Sequence, residues 1–282
     1  MNKLIIQHNG EDVEFLMHDL TQSEFLIKVE FVTKILKGIT YPIVNDLKPK
    51  IIFDIGAHIG ATSAFFSMQY PKSQIFSFEP TTINFSLLEK NKKYFSNVKI
   101  FKKGVLDKNI SQKIYINSKN PGSNSIHERW QKFDYFEYVN FINLKEFLEE
   151  NDIKNIDILK IDTEGCEINI LKSILSHIKK INVIYLEYHS EKQGFVIRKL
   201  LNSSHDIKQH VLSGANRVPV ESSIVGKINL YDIIYDENVI IAANQIINEE
   251  QFLELKKNGV SSIDVESKEL GEVCFVNKNL KE

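Results

Sequence analysis

At 282 residues with a formal net charge of −2, the chain is long enough to bury one substantial core, and it carries no charge excess that would favour nonspecific binding to nucleic acid or to a membrane surface. Its 43% hydrophobic and 26% charged composition is that of an ordinary globular protein, and no stretch approaches the ~18 continuous apolar residues of a membrane span. Cys166 and Cys274 are too few for a disulfide framework and lack metal-ligand spacing; with no signal-peptide pattern after Met1-Asn2-Lys3, a cytoplasmic protein is expected.

Residues 1–50 are predicted to form a short strand or hairpin and then a helix. Asn9-Gly10 is a turn signal between Leu4-Ile5-Ile6 and Val13-Glu14-Phe15-Leu16. From Ser23 to Leu36 the residues Phe25, Leu26, Val29, Val32, Ile35 and Leu36 recur at helical spacing, in a helix that either packs on the main sheet or covers a substrate site. Ile51-Ile52-Phe53-Asp54-Ile55 then reads as a buried strand entering the turn Gly56-Ala57-His58-Ile59-Gly60. A helix follows, marked by Ala64, Phe65, Phe66 and Met68 and stopped by Pro71. Glycine at 56 permits a sharp turn and close backbone approach to a ligand, and glycine at 60 permits tight packing of helix on strand. Strand, glycine turn and helix in that order are how a nucleotide-like cofactor is held.

The next strand, Gln74 to Phe78, ends in Glu79-Pro80. Glu79 falls near the ~20-residue separation at which an acid beyond the second strand reaches a ribose hydroxyl pair. A helix over Thr81–Phe95, a strand over Val98–Lys102 and an exit turn at Gly104-Val105-Leu106-Asp107 follow. A small residue at that exit lets an adenine ring lie against the backbone, or merely makes the turn. Ile114-Tyr115-Ile116 is a short strand, and 117–125 is a polar loop containing Pro121-Gly122. In the aromatic and charged stretch 127–138, Trp130 beside Arg129 suits a sugar face or an anion, with partial burial of the ring beneath a loop as the alternative.

A helix over Leu144–Asn151 precedes a central strand, Ile156–Asp162, which ends in Thr163-Glu164-Gly165. Ile168, Leu171, Leu175 and Ile178 make an apolar stripe on a helix over Cys166–Lys180. Asn182–Leu186 is the next strand. It leads through Glu187-Tyr188-His189 to a helix around Phe195–Leu201, and alternation puts Glu187 and His189 on one side with Tyr188 on the other. Asp206–Leu212 and Lys227–Tyr235, with no helix pattern between them, are expected to pair antiparallel and finish the sheet with one reversed strand. The tail holds a helix-like stretch at 249–257 and a strand-like Glu272–Val276.

The alternation predicts an α/β, Rossmann-like fold: a seven-stranded, mostly parallel sheet with one reversed strand and helices on both faces. The expected organisation is an N-terminal extension at 1–45, the Rossmann-like domain at 46–236 and a C-terminal extension at 237–282. Ligands of such sheets lie beyond the carboxyl ends of the strands. Asp54, Glu79, Asp162, Glu164, Glu187 and His189 all fall there, so one shared site is expected.

Four runs carry a resemblance: Asp54-Ile55-Gly56-Ala57-His58-Ile59-Gly60; Phe78-Glu79-Pro80 with Asn84 and Leu87; Leu159-Lys160-Ile161-Asp162-Thr163-Glu164-Gly165-Cys166-Glu167; and Leu186-Glu187. In order and spacing, over residues 50–235, they resemble the successive motifs of FkbM-type methyltransferases. The resemblance implies S-adenosylmethionine as donor and methylation of an oxygen on a sugar, glycan or secondary metabolite. The reversed final strand also suits that class, since nicotinamide dehydrogenases usually end on parallel strands. The first 40 residues and the tail are not covered, and His58 stands where the family usually has Asn.

On this reading Asp54 and the turn Gly56–Gly60, with Ala57 and His58, would hold the donor's amino-acid end. Glu79 with Pro80 would meet the ribose and Gly104-Val105 the adenine, and Asp162 would lie where the methyl points. His189 is the preferred proton acceptor, because an unperturbed imidazole titrates near pH ~6.5. Asp162, Glu164 and Glu187 are the set that would instead collect a divalent cation such as magnesium, and Glu164 has the plainer reading of a helix N-terminal acid. His8, His18, His127, His177, His205 and His210 are expected at the surface or packed. Two other functions fit parts of the pattern: a nicotinamide-dependent oxidoreductase, from Gly56, Gly60 and Glu79, and a noncatalytic binding module that keeps the fold. The expected partner is a small-molecule, sugar or glycan acceptor, with neither nucleic acid nor membrane. The acceptor's identity and the oligomeric state are not legible.

Overall fold

The computed structural model describes residues 2–8, 10–19, 21, 29–30, 32–38, 40–128, 131–212 and 271–280. Strands β1 (Asn2–His8) and β2 (Glu11–Met17) pair antiparallel around Gly10, whose φ is +82°. Val13, Phe15 and Met17 alternate into the core, the period-2 pattern of a half-buried strand. Residues 32–36 are helical and bury Val32 and Ile35; most of the rest of the helix expected over 23–36 lies outside the described residues.

The chain then runs through β3 (Ile51–Ile55), α1 (Ala61–Gln69), β4 (Gln74–Phe78), α2 (Thr82–Lys92), β5 (Val98–Phe101), β6 (Gly104–Leu106), β7 (Ile110–Ile116), β8 (Tyr135–Asn143) and α3 (Leu144–Glu150). It continues through β9 (Ile156–Ile161), α4 (Glu167–Ser173), β10 (Ile181–Tyr188), α5 (Glu191–Leu201), β11 (His205–Leu212) and β12 (Gly271–Asn277). Seven strands form the main sheet in the order β11-β12-β10-β9-β3-β4-β5. The pairs from β10 to β5 are parallel, while β12 runs antiparallel to both its neighbours. This is the expected mostly parallel, Rossmann-like sheet with one reversed strand.

Both faces of the sheet are covered, as its near-continuous apolar strands require. On one face Phe53, Phe76, Phe78, Leu159 and Ile184 pack with α3, α4 and the small sheet described below. On the other, Ile52, Ile75, Ile158 and Val183 pack with α1, the N-terminal hairpin and the helical turn at 32–36. Among the described residues no helix is long and apolar enough to cross a membrane.

Four expectations change. The reversed strand is Gly271–Asn277, so the segment expected as a C-terminal extension supplies a strand from within the sheet; Lys227–Tyr235 lies outside the described residues. Gly104–Leu106, expected as an exit turn, is strand β6. It joins β8 and β7 in a separate three-stranded sheet in the order β6-β8-β7. β8, for which no strand was expected, begins in the last four residues of the aromatic and charged stretch 127–138 and runs on to Asn143, burying Val139 and Phe141 while Phe136 and Tyr138 face out. The helix expected over Cys166–Lys180 ends at Ser173, where Ile174 leaves helical geometry, and a 3-10 turn at Ile178–Lys180 leads into β10.

Candidate active site

A cavity of about 250 Å³ opens at the carboxyl ends of β3, β4, β9 and β10. One wall is the glycine turn. Gly56 has φ +79°, and a Cβ there would fall 1.7 Å from the Asp162 carbonyl oxygen, so only glycine lets β3 leave its strand this close to β9. The amides of Gly56 and Ala57 both donate to the Phe78 carbonyl, at 3.0 and 2.9 Å. Gly60, at φ +92°, caps α1, and a Cβ there would meet Leu88 Cδ1 at 2.7 Å. Its role is therefore packing beside the cavity.

Beneath the turn lies a charged row that the sequence motif did not reveal. Asp54 and Lys160 are register partners across β3 and β9, so their side chains share a face of the sheet. Lys160 is 2% exposed. Its Nζ donates to the Gly56 carbonyl at 2.6 Å and lies 3.3 Å from Asp54 Oδ1 and 3.5 Å from Asp162 Oδ2. Ser63 Oγ donates to Asp54 Oδ2 at 2.6 Å. Burial alone would lower the lysine's pKa, but Asp162 and Asp54 outweigh it and the net shift is upward, so the ammonium persists. Asp54 is fully buried and does not line the cavity. Its expected place against a ligand's amino-acid end is thus corrected: it is the buried counter-ion of Lys160.

Glu79 lines the cavity but is only 4% exposed. Its Oε1 accepts from the Thr81 amide (3.0 Å), the Thr81 hydroxyl (2.6 Å) and Asn84 Nδ2 (3.3 Å), and its Oε2 accepts from the His58 amide (3.0 Å). Burial raises its pKa more than these bonds lower it. Each carboxylate oxygen has about two acceptor sites, so Oε2 has capacity for another donor. Pro80, Gly104 and Val105 also line the cavity. Gly104 is required by Phe141, whose Cε1 would sit 2.3 Å from a Cβ.

Beyond β9 and at the end of β10, Asp162, Glu164 and Glu187 also line the cavity. Burial pushes Asp162 up, but Lys160, a hydrogen bond with the Glu187 side chain, His189 and His58 together hold it below the usual carboxylate range. Glu164 sits at φ +54° and Gly165 at φ +111° in a turn fastened from behind by the buried Glu167. Glu167 Oε1 accepts from the Thr163 amide and hydroxyl and from the Gly165 amide, at 2.9, 3.0 and 3.1 Å.

His189 lies behind these acids. Its Nδ1 is 3.8 Å from Glu164 Oε2 and its Nε2 3.7 Å from Glu167 Oε1; the side chain is 8% exposed and does not line the cavity. Burial lowers its pKa, but Glu167, Glu164 and Asp162 raise it further, leaving a net upward shift. The ordinary imidazole pKa that recommended it as a base therefore does not hold in this setting. Glu164, Glu187 and His189 offer ligand atoms all within 4.8 Å of one another, so the set geometrically able to hold a cation has His189 in place of Asp162. An imidazolium must first lose its proton to act as a ligand.

The lining also includes Met17 at the end of β2, His18 just after it, Val32 and Ile35 from the helix expected either to pack on the sheet or to cover a substrate site, and Tyr41. The His18 and His58 rings lie 5.3 Å apart between centroids, and His58 sits at φ +52°. The signal that could have found Lys160 is a lone lysine within the apolar run of a central strand. His18 had no comparable signal. Arg129 and Trp130 lie outside the described residues.

The family model of the Methyltransferase FkbM domain matches residues 54–215. "Methyltransferase 1" of Beauveria bassiana is 24% identical over 202 residues, covering 64% of this chain and 79% of its own length. 2-O-methyltransferase NoeI of Sinorhizobium fredii is 22% identical over 156 residues, covering 50% of this chain and 64% of its own. Hexuronic acid methyltransferase AglP of Haloferax volcanii is 23% identical over 154 residues, covering 55% of this chain and 62% of its own. The chain thus spans slightly less than two thirds of the last two. The crystal structure of a methyltransferase FkbM from Methylobacillus flagellatus aligns with a TM-score of 0.42 at 14% identity, over 59% of this chain and 41% of that one.

Proposed function

The chain belongs to the methyltransferase FkbM family, and from that premise we propose that it is an S-adenosylmethionine-dependent O-methyltransferase whose acceptor is a hydroxyl on a sugar or another small molecule. The observation that carries the donor assignment is the gathering of acids at one cavity. Asp162, Glu164 and Glu187 line it and suit a cationic centre, and Glu79 and the glycine turn line it with them. The names of two relatives, a 2-O-methyltransferase and a hexuronic acid methyltransferase, support an oxygen acceptor on a carbohydrate.

Glu79 would accept from the ribose hydroxyls through Oε2, and Gly104-Val105 with Ile114 would give the adenine a flat apolar wall. The sulfonium supplies an already activated methyl group. What remains for the chain is to align the acceptor oxygen and to take its proton, and orientation of this kind is worth up to ~7–11 kcal/mol of barrier. Asp162, kept ionised by Lys160, would neutralise the positive centre. Glu164 faces the cavity and would receive the acceptor's proton, with His189 behind it as a cation that orients the carboxylate.

Calorimetry with S-adenosylhomocysteine, followed by mass spectrometry of a panel of sugars and small hydroxylated acceptors incubated with S-adenosylmethionine, tests this reading. Micromolar binding and a single methyl mass increment on one acceptor class are expected. No binding by the full chain, or binding of reduced nicotinamide seen by fluorescence, would overturn it. Donor binding without turnover on any acceptor would favour the noncatalytic module.

A further inference from the structure

This inference rests on the S-adenosylmethionine reading and concerns the amino-acid end of that donor, whose carboxylate needs hydrogen-bond donors or positive charge. The glycine turn has few to give. The amides of Gly56 and Ala57 are spent on the Phe78 carbonyl, that of His58 on Glu79, and that of Gly60 on the Ala57 carbonyl. The acids Asp162, Glu164 and Glu187, which also line the cavity, disfavour an anion beside them. Among the described residues the basic side chains on the cavity wall are His18, His58 and Lys160. The Lys160 ammonium is held beneath the turn by Gly56, Asp54 and Asp162.

We propose that His18, delivered by the N-terminal hairpin, and His58, in the glycine turn, form an imidazole pair that receives the donor's carboxylate. The two rings lie side by side at the cavity, 5.3 Å between centroids and inclined by 39°. One buried side chain sets their relative position. Asn91 of α2 accepts from the Leu16 amide at 2.7 Å and donates to both the Leu16 and the Ile59 carbonyls at 2.9 Å. Those residues stand next but one to His18 and next to His58, so Asn91 locks the hairpin and the turn into one frame. The first turn of α1 adds to the same preference. Ala61 and Thr62 line the cavity, and the Gly60 cap contributes no side-chain hydrogen bond to their end of the helix. The positive end of the helix dipole therefore favours a negative group here. The hairpin, outside the residues matched by the family, thus becomes part of the donor site and fixes which way round the donor lies.

The test compares two ligands on the full chain by calorimetry: S-adenosylhomocysteine, which carries the carboxylate, and 5′-methylthioadenosine, which lacks the amino-acid moiety. His18→Ala is expected to weaken S-adenosylhomocysteine about tenfold, the scale of one charge-assisted hydrogen bond, and to leave 5′-methylthioadenosine unchanged. His18→Gln, which keeps a donor and guards against a folding defect in the alanine variant, is expected to fall between alanine and wild type. An equal loss for both ligands would make His18 a packing residue and overturn the proposal, as would no loss for either. If wild type binds S-adenosylhomocysteine and only the His18 outcome fails, the donor reading stands without the imidazole pair. If wild type binds neither ligand, both fall.

Discussion

Lys160 donates from Nζ to the carbonyl of Gly56 at 2.6 Å, so the cation of one central strand holds the floor of the turn that follows its neighbour. The same ammonium stands between Asp54 and Asp162, one carboxylate fully buried and the other at the cavity. A buried ion pair adds little stability over a well-packed apolar substitute, but removing one partner alone strands a charge. The turn geometry, the charge state of Asp162 and the stability of the sheet are therefore linked through one side chain.

Lys160→Met is accordingly expected to destabilise the fold by about 3–5 kcal/mol, because it leaves Asp54 uncompensated in the core. Urea unfolding of Lys160→Met and of the double variant Lys160→Met/Asp54→Asn measures this. The double variant should recover a large part of the loss. A single variant as stable as wild type would show that Asp54 is not charged in the fold.

His189 gives the fold a defined pH dependence. Its pKa is raised in the folded state by Glu167, Glu164 and Asp162 against the opposing effect of burial. The stability it contributes is complete below the unfolded value of about 6.5 and is lost as pH rises through the folded value. Glu167, with its pKa lowered on balance by His189 and backbone amides, contributes stability above the unfolded value of about 4.3 that is lost as pH falls through its own folded value. Thermal melts of wild type should decline across the window above pH ~6.5, and His189→Gln should flatten that decline. An unchanged slope in the variant would mean that the imidazole is neutral.

The upward shift of His189 also bears on metal. Glu164, Glu187 and His189 are close enough to share a cation, but only the neutral imidazole is a ligand, and the shift works against losing the proton. Turnover is expected to be indifferent to a chelator and to added magnesium. Loss of turnover in EDTA, restored by magnesium, would assign these three residues to a metal instead.

Glu79→Gln separates binding from folding. Glu79 is raised by burial, so keeping it ionised near neutral pH costs the folded state, and the amide removes that cost. The same change turns one of its two oxygens into a donor, which cannot both face the His58 amide and accept from a ribose. The variant is expected to fold with a stability loss of no more than about 1–3 kcal/mol, from the buried N–H left facing a donor, and calorimetry to show a loss of about tenfold or more in S-adenosylhomocysteine affinity. Unchanged affinity would remove Glu79 from the ribose.

The strand, glycine turn and following helix were legible because an apolar run, two glycines at fixed spacing and a terminating proline each have a local physical cause. The convergence of Asp162, Glu164 and Glu187 followed from strand ends alone. A strand-end position alone points Asp54 at a ligand, but its register opposite Lys160 in the neighbouring strand puts it beneath the turn, and that pairing has no local mark in the sequence. β12 was placed outside the domain because its partners, Val183–Tyr188 and His205–Leu212, are distant in sequence, and pairing over such a span leaves no local mark. β6 is three residues long, too short for periodicity to announce. His18 was invisible for the same reason as β12, since its meaning arises only where the hairpin meets Asn91 and the turn.

Two glycines with almost the same φ separate conformational strain from close approach. Gly56 has φ +79° and Gly10 has φ +82°, so alanine at either position meets the left-handed penalty of about 1–2 kcal/mol. At Gly10 nothing lies within 4 Å of the added carbon, whereas at Gly56 the Asp162 carbonyl oxygen is 1.7 Å away and its carbonyl carbon 2.8 Å. Both obstructing atoms are backbone and belong to the strand end that carries Asp162, so relief requires β3 and β9 to move apart and the Lys160 bond to the turn to break. Gly10→Ala is expected to lower stability by no more than about 2 kcal/mol and to leave S-adenosylhomocysteine binding intact. Gly56→Ala is expected to cost more than that and to abolish binding even where melts show folded protein. Equal stability losses in the two variants, with binding kept in both, would mean that the approach of the turn to Asp162 does not shape the cavity.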